Sequence, residues 1–252
     1  MVRKSDIRKA KELLSVTSKI GRVYIRKLIR LRKQAINKVL RLYEQTGNED
    51  VLNFLDEPYL KDFFVKMYTV TAQKIGVITV QQLGVKSSIE KQSWYKNILS
   101  WIDDNTGEKI TTVHNTMLDD IKAVMKNQVT IAQTEGYGIS KIVDNVRSQM
   151  FSSLDWKVRR IVQTEVLSAA SVAQNESVQS VGIPFEKTWV AAMINTRHTH
   201  KAMHGVTVDG SQMFMLPDGS QMEYPRDWRF GAPAGEIVNC QCMVVHRAKR
   251  NY

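Results

Sequence analysis

The sequence predicts a predominantly α-helical α+β fold, with a long helical N-terminal body followed by a small α+β C-terminal module. Three observations carry that reading. Apolar residues recur at three- and four-residue spacings through most of the first 180 positions. Of the thirteen glycines, five are spread over the first 110 residues and five crowd between 205 and 235. Beyond Pro184, short β-branched or aromatic runs alternate with turn signals. The expected domains are a basic amphipathic helical arm (1–46), a helical body (47–183) and a small α+β module (184–252) that a metal could stabilise.

Element by element, Ser5 to about Tyr43 lacks proline and places Ile25, Leu28, Ile29, Ile36, Val39, Leu40 and Tyr43 on one helical face. Gly21 could divide this segment in two, and Gly47 ends it. Pro58 suits a helix start, and Tyr59 to about Gln82 is helical in pattern, although Gly76 and the β-branched run Ile75–Val80 weaken it. A helix over roughly Lys91–Ile102 should break at Asp104-Asn-Thr-Gly107, and another should follow over about Thr111–Thr134. After Gly136-Tyr-Gly138, a short helix near Ser140–Met150 precedes a longer one from an N-cap at Ser153 to about Val181, stopped by Gly182. The module then offers a strand over Lys187–Ile194 and one or two helical turns over Arg197–His204, closed by Gly205. Short strands are expected at Val206–Val208 and Met213–Leu216, with a last one at Cys242–His246.

Charge is unevenly distributed. Residues 1–46 hold 14 Lys/Arg and 3 Asp/Glu, whereas 47–252 hold 22 of each sign, so the whole net charge of +11 sits at the front. Such a segment suits nucleic acid, an acidic protein surface or an anionic membrane. No run of 18 apolar residues is present, and no apolar stretch follows the initial charges as a secretory signal would require, so no membrane partner is expected. Cys240 and Cys242, one residue apart, are no disulfide framework.

Those cysteines and nearby histidines form the main chemical candidate. His200 and His204 share a face at i, i+4 if the segment is helical, and Cys240-Gln-Cys242 is a compact two-sulfur hook. Two histidines and two thiolates would make a closed tetrahedral site for one structural zinc. The same histidine spacing occurs in zinc proteases, but Lys201 stands where their glutamate base must be, which excludes that chemistry. A metal-dependent nuclease is the alternative, with His200, His204, Asn239 and Asp209 as raw parts but no acidic cluster for magnesium. Phosphate-cradling glycine loops and the Gly-x-Ser-x-Gly nucleophile motif are missing. The expectation is a protein that is not an enzyme. Glu165, beside Thr164 on an apolar helix face, should be part-buried and want an arginine or backbone partner.

Four segments, in order, resemble a known family. They are Ile161-Val-Gln-Thr-Glu-Val-Leu-Ser-Ala-Ala170, Lys187-Thr-Trp-Val-Ala-Ala192, Thr196-Arg-His-Thr-His-Lys-Ala-Met-His-Gly205 and Glu236-Ile-Val-Asn-Cys-Gln-Cys242. Together they resemble the phage head morphogenesis proteins, the phage Mu F-like minor head (capsid) proteins, over about residues 95–247. The motif positions are Thr164, Glu165, Trp189, Thr196, Arg197, Gly205 and Asn239. His204 stands where the family usually has aspartate, and Gln241 where arginine is usual. The resemblance implies a minor capsid protein of a tailed bacteriophage, acting in head morphogenesis or genome delivery. Its partners would be the portal and other capsid proteins and, non-specifically, double-stranded DNA. It would reside in the virion near the portal, after assembly in the host cytoplasm. The residues expected to meet DNA or portal are Lys4, Arg8, Lys9, Lys11, Arg22, Arg26, Lys27, Arg30, Lys33, Lys38 and Arg41.

Overall fold

A computed structural model describes residues 2–55, 57–84 and 92–249. Four long helices come first: α1 (Lys4–Thr46), α2 (Tyr59–Leu83), α3 (Gln92–Glu135) and α4 (Ile139–Gln179), with a 3-10 turn at Glu49–Phe54. The small module follows as β1 (Phe185–Val190), α5 (His198–Ala202), β2 (Thr207–Asp209), β3 (Phe214–Met215), β4 (Gln221–Met222), α6 (Ala234–Ile237) and β5 (Met243–Ala248). The fold class is as the sequence predicts, predominantly helical α+β. No helix of the described residues is long and apolar enough to cross a membrane.

The helices are longer and fewer than their glycines and polar breaks suggest. α1 continues through Gly21, α3 through Asp104–Gly107 and α4 through Met150–Ser153. Packing explains each case. An interior glycine costs about 1 kcal/mol, less than a continuous buried stripe returns. In α3 that stripe includes Trp94, Ile98, Ile102, Thr106, Met117, Ile121 and Met125; in α4 it is Val146, Met150, Leu154, Val158, Val162 and Val166. Ser153 is no N-cap: its hydroxyl bonds the Met150 carbonyl, one turn back, at 3.2 Å. Lys91, where the sequence starts the third helix, lies outside the described residues. Gly47, Gly136 and Gly182 do end helices, each at positive φ (66°, 74° and 70°).

The chain divides into two compact units, and each long helix contributes to both. Unit 2 comprises 23–65 and 103–159. Its core gathers Ile36, Leu40, Leu52, Ile121, Met125, Val143, Val146 and Met150. It also buries one carboxylate, Glu57, which meets Arg32 Nε at 3.3 Å, His114 Nδ1 at 3.1 Å and the Tyr59 hydroxyl. Arg32 additionally donates to the Val113 carbonyl at 3.0 Å. Arg32, one of the fourteen N-terminal cations, is therefore spent inside the unit.

Unit 1 comprises 1–22, 66–102 and 160–252. The module's sheet has the order β2-β1-β5, all antiparallel, with Lys187 opposite both Val208 and His246. A second ribbon pairs β3 with β4. β1 is two residues longer at its front than expected and stops at Val190, because Met193 and Asn195 turn into the left-handed region (φ 66° and 50°). Asp6 near the start of α1 faces Arg247 of β5 at 3.6 Å, and Arg247 also meets Glu186 and Thr188. Gly76 of α2 sits against the Trp94 ring of α3, where a Cβ would come within 2.6 Å of ring carbon. That contact explains a glycine in mid-helix.

Two measurements follow from this packing. Gly76→Ala should lower unfolding stability by about 1–3 kcal/mol, the usual cost of overpacking, read by urea denaturation. His246, wholly buried, has its pKa pushed down to about 3 by burial and by the Lys187 and Lys9 cations. Above pH 6.5 neither the folded nor the unfolded chain holds this proton; between 6.5 and about 3 the unfolded chain holds it and the folded chain does not. Stability from this group is therefore lost as pH falls through that window, at about 1.4 kcal/mol per pH unit. The stability–pH slope of His246→Gln over the same window should be shallower by up to one proton.

Candidate functional site

The loop Val238–Cys242 leads from α6 into β5, and three side chains outside it hold its backbone in place. Asn239 is left-handed (φ 59°), and its N–H donates to Thr164 Oγ1 of α4 at 3.2 Å. Arg197, just before α5, donates to the carbonyls of Glu236 and Val238, both at 2.8 Å. Thr199 donates to the Glu236 carboxylate at 2.9 Å. From the other flank Arg226, fully buried and itself at positive φ (73°), sends one nitrogen to the carbonyls of Cys240 and Cys242, both at 2.8 Å. Its second nitrogen donates to Ser171 Oγ of α4 at 2.6 Å.

So held, the loop turns both thiols toward one imidazole. His200 Nδ1 lies 3.3 Å from Cys240 Sγ and 3.5 Å from Cys242 Sγ, and the ligand atoms of the three residues fall within 4.8 Å of one another. The other ring nitrogen, Nε2, is 2.8 Å from Glu236 Oε2. The ring packs edge-on against Trp189 of β1, centroids 5.1 Å apart. His200, Cys240 and Cys242 are all buried. Burial alone raises the Cys240 thiol, but a hydrogen bond from Cys242, the Arg226 guanidinium and His200 outweigh it and hold Cys240 well below the usual thiol range. Cys242 is driven upward, first by that same hydrogen bond and then by burial. The two shifts oppose each other because the thiols share one hydrogen bond, and the Arg226 guanidinium favours charge on Cys240. A cleft of about 360 Å³ opens beside the pair, lined by Gln163, Asn195, Thr196, Arg197, Asn239 and Gln241.

The expected metal ligands are thus brought together in part. His200, Cys240 and Cys242 converge; His204 does not join them, because its Nδ1 accepts from the Ala191 N–H at 3.2 Å. Of the nuclease parts, His200 and Asn239 line the cleft and His204 and Asp209 do not; Asp209 pairs with Lys249. Glu165 accepts from the Tyr68 hydroxyl at 2.6 Å, so a tyrosine supplies a bond expected from arginine or backbone. Gly205, at φ 89°, donates its N–H to the Trp189 carbonyl, and Thr196 Oγ1 is 3.4 Å from the Ile194 carbonyl. Arg226 and Glu236 were not singled out in the sequence. Arg226 stands among turn residues with no periodicity, so no sequence signal marks it.

The basic segment is a helix whose apolar face is buried, including Leu13 and Ile20 in unit 1 and Leu28, Ile36 and Leu40 in unit 2. Lys4, Arg8, Lys11, Arg22, Arg26, Arg30, Lys38 and Arg41 are exposed, as are Arg3 and Lys19, which the sequence reading omitted. Lys27 is half-buried. Lys9 is partly withdrawn, donating to the Gln82 carbonyl at 2.6 Å, with its pKa lowered by burial. Lys33 lies over the Phe151 ring at 4.8 Å.

Residues 123–245 match the model of a family described as phage Mu protein F like protein. No curated protein and no solved structure matches the chain.

Replacing Arg226 tests whether the loop depends on it. Arg226→Met should cost about 3 kcal/mol or more, since two buried carbonyls each lose a donor at roughly 1–3 kcal/mol. Arg226→Lys should recover little, because an ammonium lacks the planar fork that spans both carbonyls and Ser171. Urea unfolding of both variants reads the result.

Proposed function

We propose, from the match of residues 123–245 to the family described as phage Mu protein F like protein, that this chain is a minor head protein of the head morphogenesis family. In this reading its α1 surface contacts packaged DNA next to the portal. The family match supports a role in head morphogenesis and residence in the virion. The exposed cations of α1 support the DNA contact, and they are the observation that carries it.

In unit 1, Lys4, Arg8, Lys11, Lys19 and Arg22 are exposed at spacings of three, four or eight residues, which keeps them on one side of the helix. They span about 27 Å at 1.5 Å per residue. In unit 2, Arg26, Arg30, Lys38 and Arg41 are exposed, and Lys38 and Arg41 border a concavity of about 430 Å³ with Gln34 and Asn37. The rest of the chain sums to zero charge, so this helix dominates the protein's field. Cations in a row along a helix meet phosphates, and nothing about them reads base edges, so the contact is non-specific. A portal surface rich in carboxylates would attract the same row.

Fluorescence anisotropy with duplex DNA at rising salt tests the proposal. Binding should weaken by roughly 10³-fold or more between 50 and 200 mM salt if about six or more phosphates are contacted. The combined variant Arg8→Gln, Lys11→Gln, Arg22→Gln, Arg26→Gln and Arg30→Gln should reduce the log–log salt slope by about 4–5. Absence of binding at low salt, or binding indifferent to salt, would remove DNA as the partner. Portal capture that survives in the five-fold variant would show that α1 is not the portal contact.

A further inference from the structure

We propose that Cys240 Sγ, Cys242 Sγ and His200 Nδ1 are three ligands of a zinc ion whose fourth position opens onto the polar cleft. The inference stands on this cluster alone and does not depend on the head-protein reading.

Geometry is the first argument. Tetrahedral zinc with bonds of about 2.3 Å to sulfur and about 2.0–2.1 Å to nitrogen separates a ligand nitrogen from a ligand sulfur by about 3.6 Å. The two separations found are 3.3 and 3.5 Å. Two of the three donor separations are therefore close to what zinc would impose, and all three ligand atoms lie within 4.8 Å of one another. Two thiolates and an imidazole also form a set that zinc favours over magnesium or calcium.

The second argument is what stands behind each donor. A metal-bound histidine characteristically directs its other ring nitrogen to a carboxylate, which fixes the tautomer. His200 Nε2 lies 2.8 Å from Glu236 Oε2, within reach of such a contact, and that carboxylate is in turn held by Thr199. Trp189 packs on the ring and restricts its rotation. Behind the sulfurs, Arg226 reaches Cys240 Sγ at 3.6 Å while gripping both cysteine carbonyls. Charge also closes: one Zn²⁺, two thiolates, the Glu236 carboxylate and the Arg226 guanidinium sum to zero. A buried cluster that kept either arginine or carboxylate uncompensated would be costly.

The fourth position is the departure from a closed structural site. His204 is committed to the Ala191 N–H and His198 is exposed, so neither completes the tetrahedron. His200, Cys240 and Cys242 instead line the wall of the cleft, opposite amide and hydroxyl side chains of Gln163, Asn195, Thr196, Asn239 and Gln241. Water takes that position at rest, and a small anion or donor group entering the cleft displaces it. Arg197 at the rim favours an anionic entrant.

Elemental analysis of the purified full chain, beside cobalt substitution, decides the matter. About one zinc per chain is expected, lost on joint Cys240→Ser and Cys242→Ser replacement and on His200→Ala, but retained in His204→Ala. Because the first variants could fail to fold, the wild-type protein loaded with cobalt supplies an independent reading. Tetrahedral d–d bands and a thiolate charge-transfer band should be present, and added azide should shift the d–d bands. Several outcomes overturn the proposal: no zinc bound even after equilibrium dialysis against it, another metal displacing zinc at equal supply, loss of zinc in His204→Ala, or a cobalt spectrum that ignores azide.

Discussion

A guanidinium sealed from water and unable to give up its proton sets the constraint on which the module depends. Arg226 has to find acceptors inside the protein. It finds them in the Cys240 and Cys242 carbonyls and in Ser171. Two carbonyls two residues apart, gripped by one nitrogen, leave the intervening chain little freedom, and the thiols of a Cys-x-Cys segment then project to the same side. Arg197 repeats the device upstream on the carbonyls of Glu236 and Val238. The loop from 236 to 242 is thus shaped by arginines rather than by a ladder of its own. A module with strands of two, three and six residues has few other means of rigidity.

The regular structure was legible in the sequence wherever burial follows a period. The apolar spacing of α1, α2, α3 and α4 gave their existence and their faces, and Gly47, Gly136 and Gly182 gave true stops because the chain there takes positive φ. Interior breaks were misread at Asp104–Gly107 and at Ser153 for one reason. Turn chemistry is local, whereas the buried stripe passing through those positions is tertiary and outweighs it. At the site, Cys240, Cys242 and His200 were visible by residue type. His204 was grouped with them by helical spacing, but α5 ends at Ala202, so the i, i+4 relation never forms. Arg226 and Glu236 could not be read, because what selects them is the path of a loop.

α1 shows how one helix serves two purposes. Its apolar stripe contributes to the interior of both units, and the same helix must place thirteen cations around that stripe. Those nearest the stripe are drawn inward and find partners: Arg32 at Glu57, Lys9 at the Gln82 carbonyl, Lys33 over Phe151. Long stems let such residues cover apolar surface while the head groups reach polar atoms. What stays exposed is a narrower and more regular set than the charge count suggests. The surface charge of the helix is therefore a remainder, left after the fold has taken what its interior needs.

The two features that carry functional argument are also separate along the chain. The stretch that matches the phage Mu protein F-like family, 123–245, contains Thr164, Ser171, Trp189, Arg197, His200, Gly205, Arg226, Glu236, Cys240 and Cys242. α1 lies outside it. The family match thus falls on the frame around the cysteine loop, in which Thr164 holds Asn239, Gly205 holds Trp189 and Trp189 packs on His200. Motif residues that look unrelated as a list are successive supports of one small cluster. The positive helix, by contrast, draws its argument from electrostatics alone, and either feature can stand if the other falls.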